Sequence, residues 1–289
     1  MNFSVRRVGA ITSTTLTELV RLKVFYALLL FALLLIGSSA FMARLSFQQE
    51  FQVLKDISLG AMSIFTSLLA IMATARMLPQ DLEERTIYTI LAKPVQRAEY
   101  LIGKLGGALL LLLISTVAMA IVLAAVLFVR EHSALAQVMQ QMRGAPPPQI
   151  EEALQGVRAA TWNANLLPGI AIIYLKAGLL AALTLFISTF ATTNIFTVVV
   201  AVFVYFIGHL QGTAREFWLQ EHGGAWLSRT FLALVALVFP DLQLFDFADS
   251  VVTGAAIPFV LFAKAAGFAC FYTIFYLLLA IAVFSGREL

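Results

Sequence analysis

Cysteine and charged residues are scarce in this sequence, and each shortage excludes a class of protein. The only cysteine is Cys270, so the chain can form no internal disulfide and can build no cysteine-based zinc framework. Charged residues make up 12% of the 289 residues, which is about half the share in a typical soluble domain. Hydrophobic residues make up 61%, and the mean hydropathy is +0.92. The composition therefore predicts an integral membrane protein.

Nucleotide- and metal-binding signatures are also missing from the sequence. A P-loop needs GxxxxGK followed by Ser or Thr, whereas Gly103-Lys104 is followed by Leu105 inside an apolar run. The chain has three histidines and no HExxH motif, so it offers no zinc-protease signature. We therefore expect no catalytic residue, no cofactor and no metal ion in this chain.

Long hydrophobic runs dominate what is present. A spanning helix needs about 20 mostly apolar residues. Arg21 and Lys23 directly precede the first run and make its charged leader too long for an ordinary signal peptide, so we expect this run to be retained rather than cleaved. The pattern predicts an all-α membrane protein with a single polytopic domain over residues 1–289. Its six predicted spans are 24–42, 57–75, 105–129, 166–190, 194–210 and 259–284.

Three further segments are predicted to be helical without crossing the bilayer. Residues 226–239 form a short apolar run ended by Pro240, for which we prefer a re-entrant or interfacial helix to a spanning one. Residues 130–165 contain two helix-like stretches separated by prolines, which predicts an extracytoplasmic helical hairpin. The N-terminal "TSTTLTELVRLKVF" is amphipathic and predicts an in-plane helix leading into the first span, with a plain basic leader as the alternative.

The distribution of basic residues predicts the orientation. Lys and Arg concentrate on cytoplasmic loops of membrane proteins. The segments that would share one side have the higher density of basic residues, which predicts that both termini are cytoplasmic. The basic residues of that side are Arg6, Arg7, Arg21, Lys23, Arg76, Arg85, Lys93, Arg97, Lys104 and Arg287.

Between the second and third spans lies a charged stretch that contains a proline, "EERTIYTILAKPVQRAEYLIGKL" from Glu83 to Leu105. Asp81 is expected to cap a helix whose first turn holds Glu83 and Glu84. Pro94 forces the residue before it out of helical geometry, and helix should resume near Gln96. Local physics thus predicts a short surface helix joined by a tight corner to the third span, which by itself suggests only a solvated connector.

The same stretch resembles the signature of bacterial ABC-type exporter permeases of the ABC-2 membrane family. The six-span layout, the amphipathic N-terminal helix and the ending "VFSGREL" also resemble that family, although Gly286 stands where a second basic residue is common. The residues that carry the resemblance are Glu84, Thr86, Leu91, Lys93, Pro94, Val95, Arg97, Tyr100, Gly103 and Lys104.

The resemblance implies a permease that works with a separate ABC ATPase subunit, which would bind the ATP and Mg. The permease would be a homodimer, or a heterodimer with a similar permease, in the bacterial cytoplasmic (inner) membrane, with no nucleic-acid partner. Lys93 and Arg97 could instead contact lipid phosphates. The residues that the resemblance assigns to ATPase coupling are Glu83, Glu84, Arg85, Thr86, Lys93, Pro94 and Arg97.

A few polar or small residues inside the spans are further candidates. Lys176 is costly in a bilayer, so we expect it to line a translocation path or to pair with another helix. Asn194 could line the same path, with helix capping as its alternative, and His209 is expected to form an interfacial hydrogen bond. Gly103 and Gly107 form a GxxxG motif that allows close helix packing, within the chain or between two copies.

Two other functions remain open at this point. An ion- or proton-coupled carrier would have repeated halves and several buried carboxylates, and neither is evident in the spans. An intramembrane protease would need clustered histidines and acids, which the sequence does not provide.

Overall fold

The computed structural model describes residues 3–43, 50–83, 95–143, 146–221 and 239–286. These ranges are helical apart from short connections and contain no strand. A 3-10 turn, Leu242–Phe245, precedes the ninth helix. The helices are α1 Val5–Val20, α2 Lys23–Ala43, α3 Glu50–Ala75, α4 Met77–Glu83, α5 Arg97–Gln141, α6 Pro147–Thr161, α7 Leu166–Phe190, α8 Asn194–Glu221, α9 Ala248–Thr253 and α10 Phe259–Gly286.

Six of these helices are long and apolar enough to cross a membrane, which confirms the predicted fold class. They are α2, α3, α5, α7, α8 and α10, and α7 has the bounds expected from the sequence. α5 is longer than the predicted span. Its 45 residues form a helix of about 68 Å, whereas the hydrocarbon core of a bilayer is about 30 Å thick. The helix start near Gln96 was predicted, whereas the helix-like stretch after Arg130 was expected to belong to a separate hairpin and instead continues the spanning helix.

The bundle has two ends, which we name by what they carry. The terminal end carries α1, α4, the start of α5 and the end of α10. The hairpin end carries α6, the end of α5 and the segment 239–258. The predicted surface helix 226–239 lies outside the described residues up to position 238.

α7 occupies the centre of the bundle. Apolar residues are distributed over all faces of α7, which is typical of a helix surrounded by other helices. α10 and α3 pack along it most extensively, and α5 and α8 also contact it. α2 and α8 instead expose large apolar side chains on one side, as expected for surfaces that face lipid; examples are Leu30, Phe31, Leu34, Phe203 and Phe206.

The two helices around the prolines at the hairpin end are fixed to the bundle by polar contacts. Lys55 of α3 is buried and donates a hydrogen bond to the Ala160 carbonyl in the last turn of α6, at 2.6 Å. A cation is favoured at this position because the carbonyl end of a helix carries a partial negative charge. Arg130 of α5 forms an ion pair with Glu50 of α3. The hairpin is therefore attached to α3.

We expect Lys55→Met to loosen α6 without disrupting the spanning helices. Methionine keeps the apolar stem but removes the donor, which leaves the Ala160 carbonyl without its charged partner. Trypsin should then cleave faster after Arg158, while the midpoint of thermal unfolding in detergent changes by only a few degrees. Lys264→Met, on an exposed lysine of α10, is the control and should leave cleavage unchanged. Equal cleavage rates in the two variants would contradict the anchoring role.

Candidate functional site

Two groups of buried polar side chains stand out from the apolar bundle, one at the terminal end and one beneath the hairpin end. The first flanks residues 84–94, so the predicted coupling residues Glu84, Arg85, Thr86, Lys93 and Pro94 lie outside the described residues. Glu83 is the exposed last residue of α4, and Arg97 is the first residue of α5. The structure therefore describes both attachments of the predicted coupling segment.

The two attachments are joined by a cluster that we call the junction network, made of the buried residues Asp81, Tyr100 and Lys104 with the exposed Glu18 at its edge. The Asp81 carboxylate of α4 accepts a hydrogen bond from the Tyr100 hydroxyl and forms an ion pair of 2.7 Å with Lys104 of α5. Lys104 also lies 3.3 Å from Glu18 of α1. Since charged groups are rarely buried unless paired, this arrangement joins α1, α4 and α5 as a unit.

The predicted capping role of Asp81 is wrong. Asp81 lies near the end of α4, a helix that begins at Met77, and so it cannot serve that helix as its N-cap. Its carboxylate is instead directed at α5, where Lys104 and Tyr100 neutralise and hydrogen-bond it. The sequence suggested a cap because an Asp before two glutamates resembles a helix start. The observed partners, Tyr100 and Lys104, are too distant in sequence to be anticipated.

A second contact fixes the start of α1 to the start of α5. Glu99 is fully buried and accepts hydrogen bonds from the Arg7 guanidinium and the Ser4 backbone N–H, both at 2.7 Å. It also forms a capping box with Gln96, whose backbone N–H it accepts at 3.1 Å. Glu99 was not identified from the sequence, although the spacing of Gln96 and Glu99 ahead of an apolar run is the signal of a capping box.

Arg97 links α5 to the end of α10. Its guanidinium donates to the carbonyls of Phe284 and Ser285 at 2.9 and 2.7 Å. These are carbonyls of the last helical turn, where a cation is favoured. Arg97 thus contacts protein at this point, and the predicted role in ATPase coupling would act through α10 as well as α5.

α1 packs closely against two glycines of α5. A Cβ atom added at Gly103 would lie 2.7 Å from Ile11, and one added at Gly107 would lie 2.7 Å from Thr15. Thr12 also approaches the backbone, since its hydroxyl lies 3.3 Å from the Gly103 carbonyl. Small residues at this spacing allow two helix backbones to approach closely. The partner at this GxxxG is therefore a helix of the same chain.

The second polar group lines a cavity of about 380 Å³ between α3, α7, α8 and the segment 245–251. α3 and α7 both begin at the hairpin end, and each lines the cavity with residues spaced three or four apart on one helix face. A higher residue number on either helix therefore means a position deeper in the bundle, further from the hairpin end. The shallow part is lined by Asp56, Gly169 and Asp246, and the deep part by Ser63, Lys176, Tyr205 and His209. Lys176 lies ten residues into α7, about 15 Å below its start.

Lys176 is 5% exposed and is held by neutral partners from two helices. Its ammonium donates to the Ser63 hydroxyl at 2.8 Å and to His209 Nε2 at 3.3 Å. His209 Nδ1 lies 3.0 Å from the Tyr205 carbonyl, so it carries the proton and Nε2 is free to accept. Within the described ranges no carboxylate lies within 4.0 Å of Lys176, which makes it a buried cation beside a cavity.

Asn194 lies far from Lys176, at the opposite end of the bundle from the mouth of the cavity. It is the first residue of α8 at the terminal end, about 22 Å along that helix from His209. The capping oxygen there belongs to Thr193, which accepts the Phe196 backbone N–H at 3.3 Å. The structure thus does not bring the two predicted path residues together.

Several residues of the cavity escaped the sequence analysis. Ser63 and Tyr205 are ordinary polar residues within apolar helices and carry no motif. Asp56 and Asp246 resemble loop acids, and only the fold brings them to the same cavity. No local pattern in the sequence could have indicated these contacts, because each joins residues far apart along the chain.

Comparison with known families agrees with this architecture. No curated protein matches the sequence. The family model described as "ABC-2 family transporter protein" matches residues 10–289, nearly the whole chain. Proteins of this family are membrane components of transporters and generally work with an ABC ATPase partner. With its six apolar helices and this match, the chain belongs to the ABC-2 transporter family as a multi-pass membrane protein.

Proposed function

We propose that the chain is the permease subunit of an ATP-driven exporter, and that the segment 84–94 receives force from a separate ABC ATPase. The observation that carries this proposal is the junction network. The segment is attached to α4 on one side and to α5 on the other, and Asp81, Tyr100 and Lys104 join these two helices so that they would move together. Two helices joined in this way can transmit a displacement to the rest of the bundle, whereas a loop that only connects two spans needs no buried ion pair.

Two further contacts at the terminal end connect α5 to other helices of the bundle. Glu99 holds the start of α1, and Arg97 holds the end of α10. α10 packs along the central α7, which carries Lys176 next to the cavity. A push at the terminal end would therefore reach the cavity through packed helices. We infer that the cavity, with Lys176 on its wall, belongs to the translocation path.

Orientation follows from the same proposal. An ATPase is cytoplasmic, so the terminal end would face the cytoplasm and the hairpin end would be extracytoplasmic, in agreement with the density of basic residues. The cavity would then open toward the outside, as suits export. We further propose that the protein works as a dimer in the bacterial inner membrane, since one chain of six spans offers a path along only one side.

An ion-coupled carrier is less well supported. Such carriers place ionisable acids near the bilayer midplane. Within the described ranges the buried carboxylates, Asp81, Glu99 and Asp241, lie at the two ends of the bundle. Asp81 and Glu99 are also neutralised by Lys104 and Arg7. Their positions suit structural attachment better than proton relay.

The coupling role can be tested by charge reversal at Glu83 and Glu84. We expect the variant with both glutamates changed to lysine to co-purify at least tenfold less ABC ATPase from native membranes, because the docking charges are reversed. ATPase turnover stimulated by the permease should fall to a similar degree. The readouts are quantitative mass spectrometry of the affinity-purified complex and phosphate release.

Glu151 and Glu152 provide the matched control. They are also adjacent glutamates, both exposed, on α6 at the opposite end of the bundle. Their reversal to lysine should leave ATPase recovery and turnover unchanged. The coupling assignment would be abandoned if the Glu83/Glu84 reversal left assembly intact, or if the Glu151/Glu152 reversal weakened it equally.

A further inference from the structure

The cavity beneath the hairpin end separates positive from negative charge. Its deep part holds the Lys176 ammonium, and its shallow part holds the Asp56 and Asp246 carboxylates. Both carboxylates are exposed, and neither forms an ion pair with any residue in the described ranges. The cavity thus presents a buried basic end and an exposed acidic end.

Lys176 retains capacity for a ligand. An ammonium has three donors, and among the described residues only Ser63 and His209 accept from it. The ammonium also faces the Tyr205 ring, whose centroid lies 5.8 Å away. The Ser63 and His209 contacts are to neutral groups, and the Asp246 carboxylate acts on the ammonium only from beyond ion-pair distance. Within the described ranges the positive charge therefore has no counter-ion in direct contact, in a mostly apolar surrounding. An anionic group entering the cavity would supply that counter-ion.

The acidic end restricts which anions can enter. A purely anionic ligand would have to pass two carboxylates, which disfavours it by like-charge repulsion. A ligand that carries a cation as well would be attracted at both ends. The apolar side chains of Leu59, Ile173 and Phe247 line the wall between the ends and suit a carbon skeleton or an acyl chain.

The spacing of the charges sets the size of the ligand's polar part. Asp56 and Ser63 are seven residues apart on one face of α3, so they are separated by about 10 Å along the helix. The ligand's own charges would lie closer together than this rise, because a charge-assisted hydrogen bond of about 2.8 Å occupies each end. That separation is short, as in a molecule whose phosphate or carboxylate lies a few bonds from an ammonium.

We propose that this cavity binds a zwitterionic group, with its phosphate or carboxylate on Lys176 and Ser63 and its ammonium on Asp56 and Asp246. The group can belong to the headgroup of a lipid or to a free small zwitterion. This proposal rests on the proposed function only in taking the ligand as the transported substrate, since binding itself requires no ATPase.

The test measures binding to the purified full-length chain in detergent by isothermal titration calorimetry. The probes are short-chain phosphatidylethanolamine, which is zwitterionic, short-chain phosphatidylglycerol, which is only anionic, and free phosphoethanolamine. We expect the zwitterionic lipid to bind at least tenfold more tightly than the anionic lipid. Phosphoethanolamine binding as tightly as the zwitterionic lipid would support a soluble substrate, and much weaker binding would support a lipid substrate; either result supports the zwitterion site.

Matched variants tie the binding to the cavity. Lys176→Gln and Asp56→Asn should each weaken binding of the zwitterionic lipid at least tenfold, because each removes a charge-assisted hydrogen bond. The controls are Lys264→Gln and Asp249→Asn, which remove exposed charges that do not line the cavity. Ser63→Ala, which removes a neutral hydroxyl and changes no charge, should weaken binding several-fold even if Lys176→Gln fails to fold.

Two results would overturn the proposal. One is equal affinity for the anionic and zwitterionic lipids, which would show that the carboxylates take no part. The other is unchanged binding in Lys176→Gln or, if that variant does not fold, in Ser63→Ala. Zwitterion binding by a chain that recruits no ATPase would refute the proposed function and leave this site intact. Recruitment of the ATPase without zwitterion binding would refute the zwitterion site and leave the proposed function intact.

Discussion

Lys104→Met should lower the free energy of unfolding by about 3–5 kcal/mol, because it strands the buried Asp81 carboxylate. The Lys104 side chain is 5% exposed and that of Asp81 is 12% exposed, so solvent screens their ion pair little. Methionine keeps the length of the stem and removes only the charge. The measurement is unfolding of the purified chain in mixed micelles as the fraction of denaturing detergent rises.

The double variant Lys104→Met with Asp81→Asn separates the ion pair from the packing around it. Asparagine retains an oxygen for the Tyr100 hydroxyl, so no buried charge is left and most of the lost stability should return. Lys264→Met serves as the control for removing a lysine from a spanning helix. A double variant as unstable as Lys104→Met alone would contradict the pairing.

The same double variant addresses function. If the junction network transmits force, the neutral pair should bind the ATPase normally while stimulating its turnover several-fold less, since α4 and α5 would be joined more weakly. Unchanged stimulation would mean that the network serves only stability.

Gly107→Ala should destabilise the protein by about 1–3 kcal/mol, which is the usual cost of overpacking a filled space. The added methyl group would lie 2.7 Å from the Thr15 Cβ and 3.1 Å from the Thr12 carbonyl, so α1 must move away from α5. Trypsin should then cleave faster after Arg21, at the end of α1. Thermal unfolding followed by tryptophan fluorescence gives the stability change.

Gly267→Ala is the matched control, because a Cβ there meets nothing within 4 Å of the residues that the structure describes. Alanine favours helix over glycine by about 1 kcal/mol, so this change should be neutral or stabilising. The two substitutions should therefore have opposite signs. The same sign and size in both would show that α1 does not depend on close packing at Gly107.

The spanning helices were predictable because a bilayer imposes a minimum length and composition on each of them. α7 agrees with its predicted bounds because charged or polar residues lie close to both of its ends. α3 extends beyond its predicted bounds, since the polar turns from Glu50 continue the helix where hydropathy gives no signal. α5 continues to Gln141, through a polar stretch that was predicted to form a separate helix.

The polar sites were predictable only in part. Lys176 was identified because a charge inside an apolar run is conspicuous. Its partners Ser63 and His209 could not be assigned, since each contact joins helices far apart in sequence. Asp81 was assigned a local role as a cap because sequence reasoning favours near neighbours. Residues 84–94, where the resemblance is most specific, remain a prediction as a coupling segment.

The firm attachment of α6 has a practical consequence for imaging. A 31.6 kDa membrane protein offers little mass outside a micelle for aligning particles. Glu151 and Glu152 lie on the exposed face of α6, while Lys55 fixes its far end to α3. An antibody fragment selected against that face would be held rigidly and would serve as a fiducial, leaving the opposite end free for other subunits.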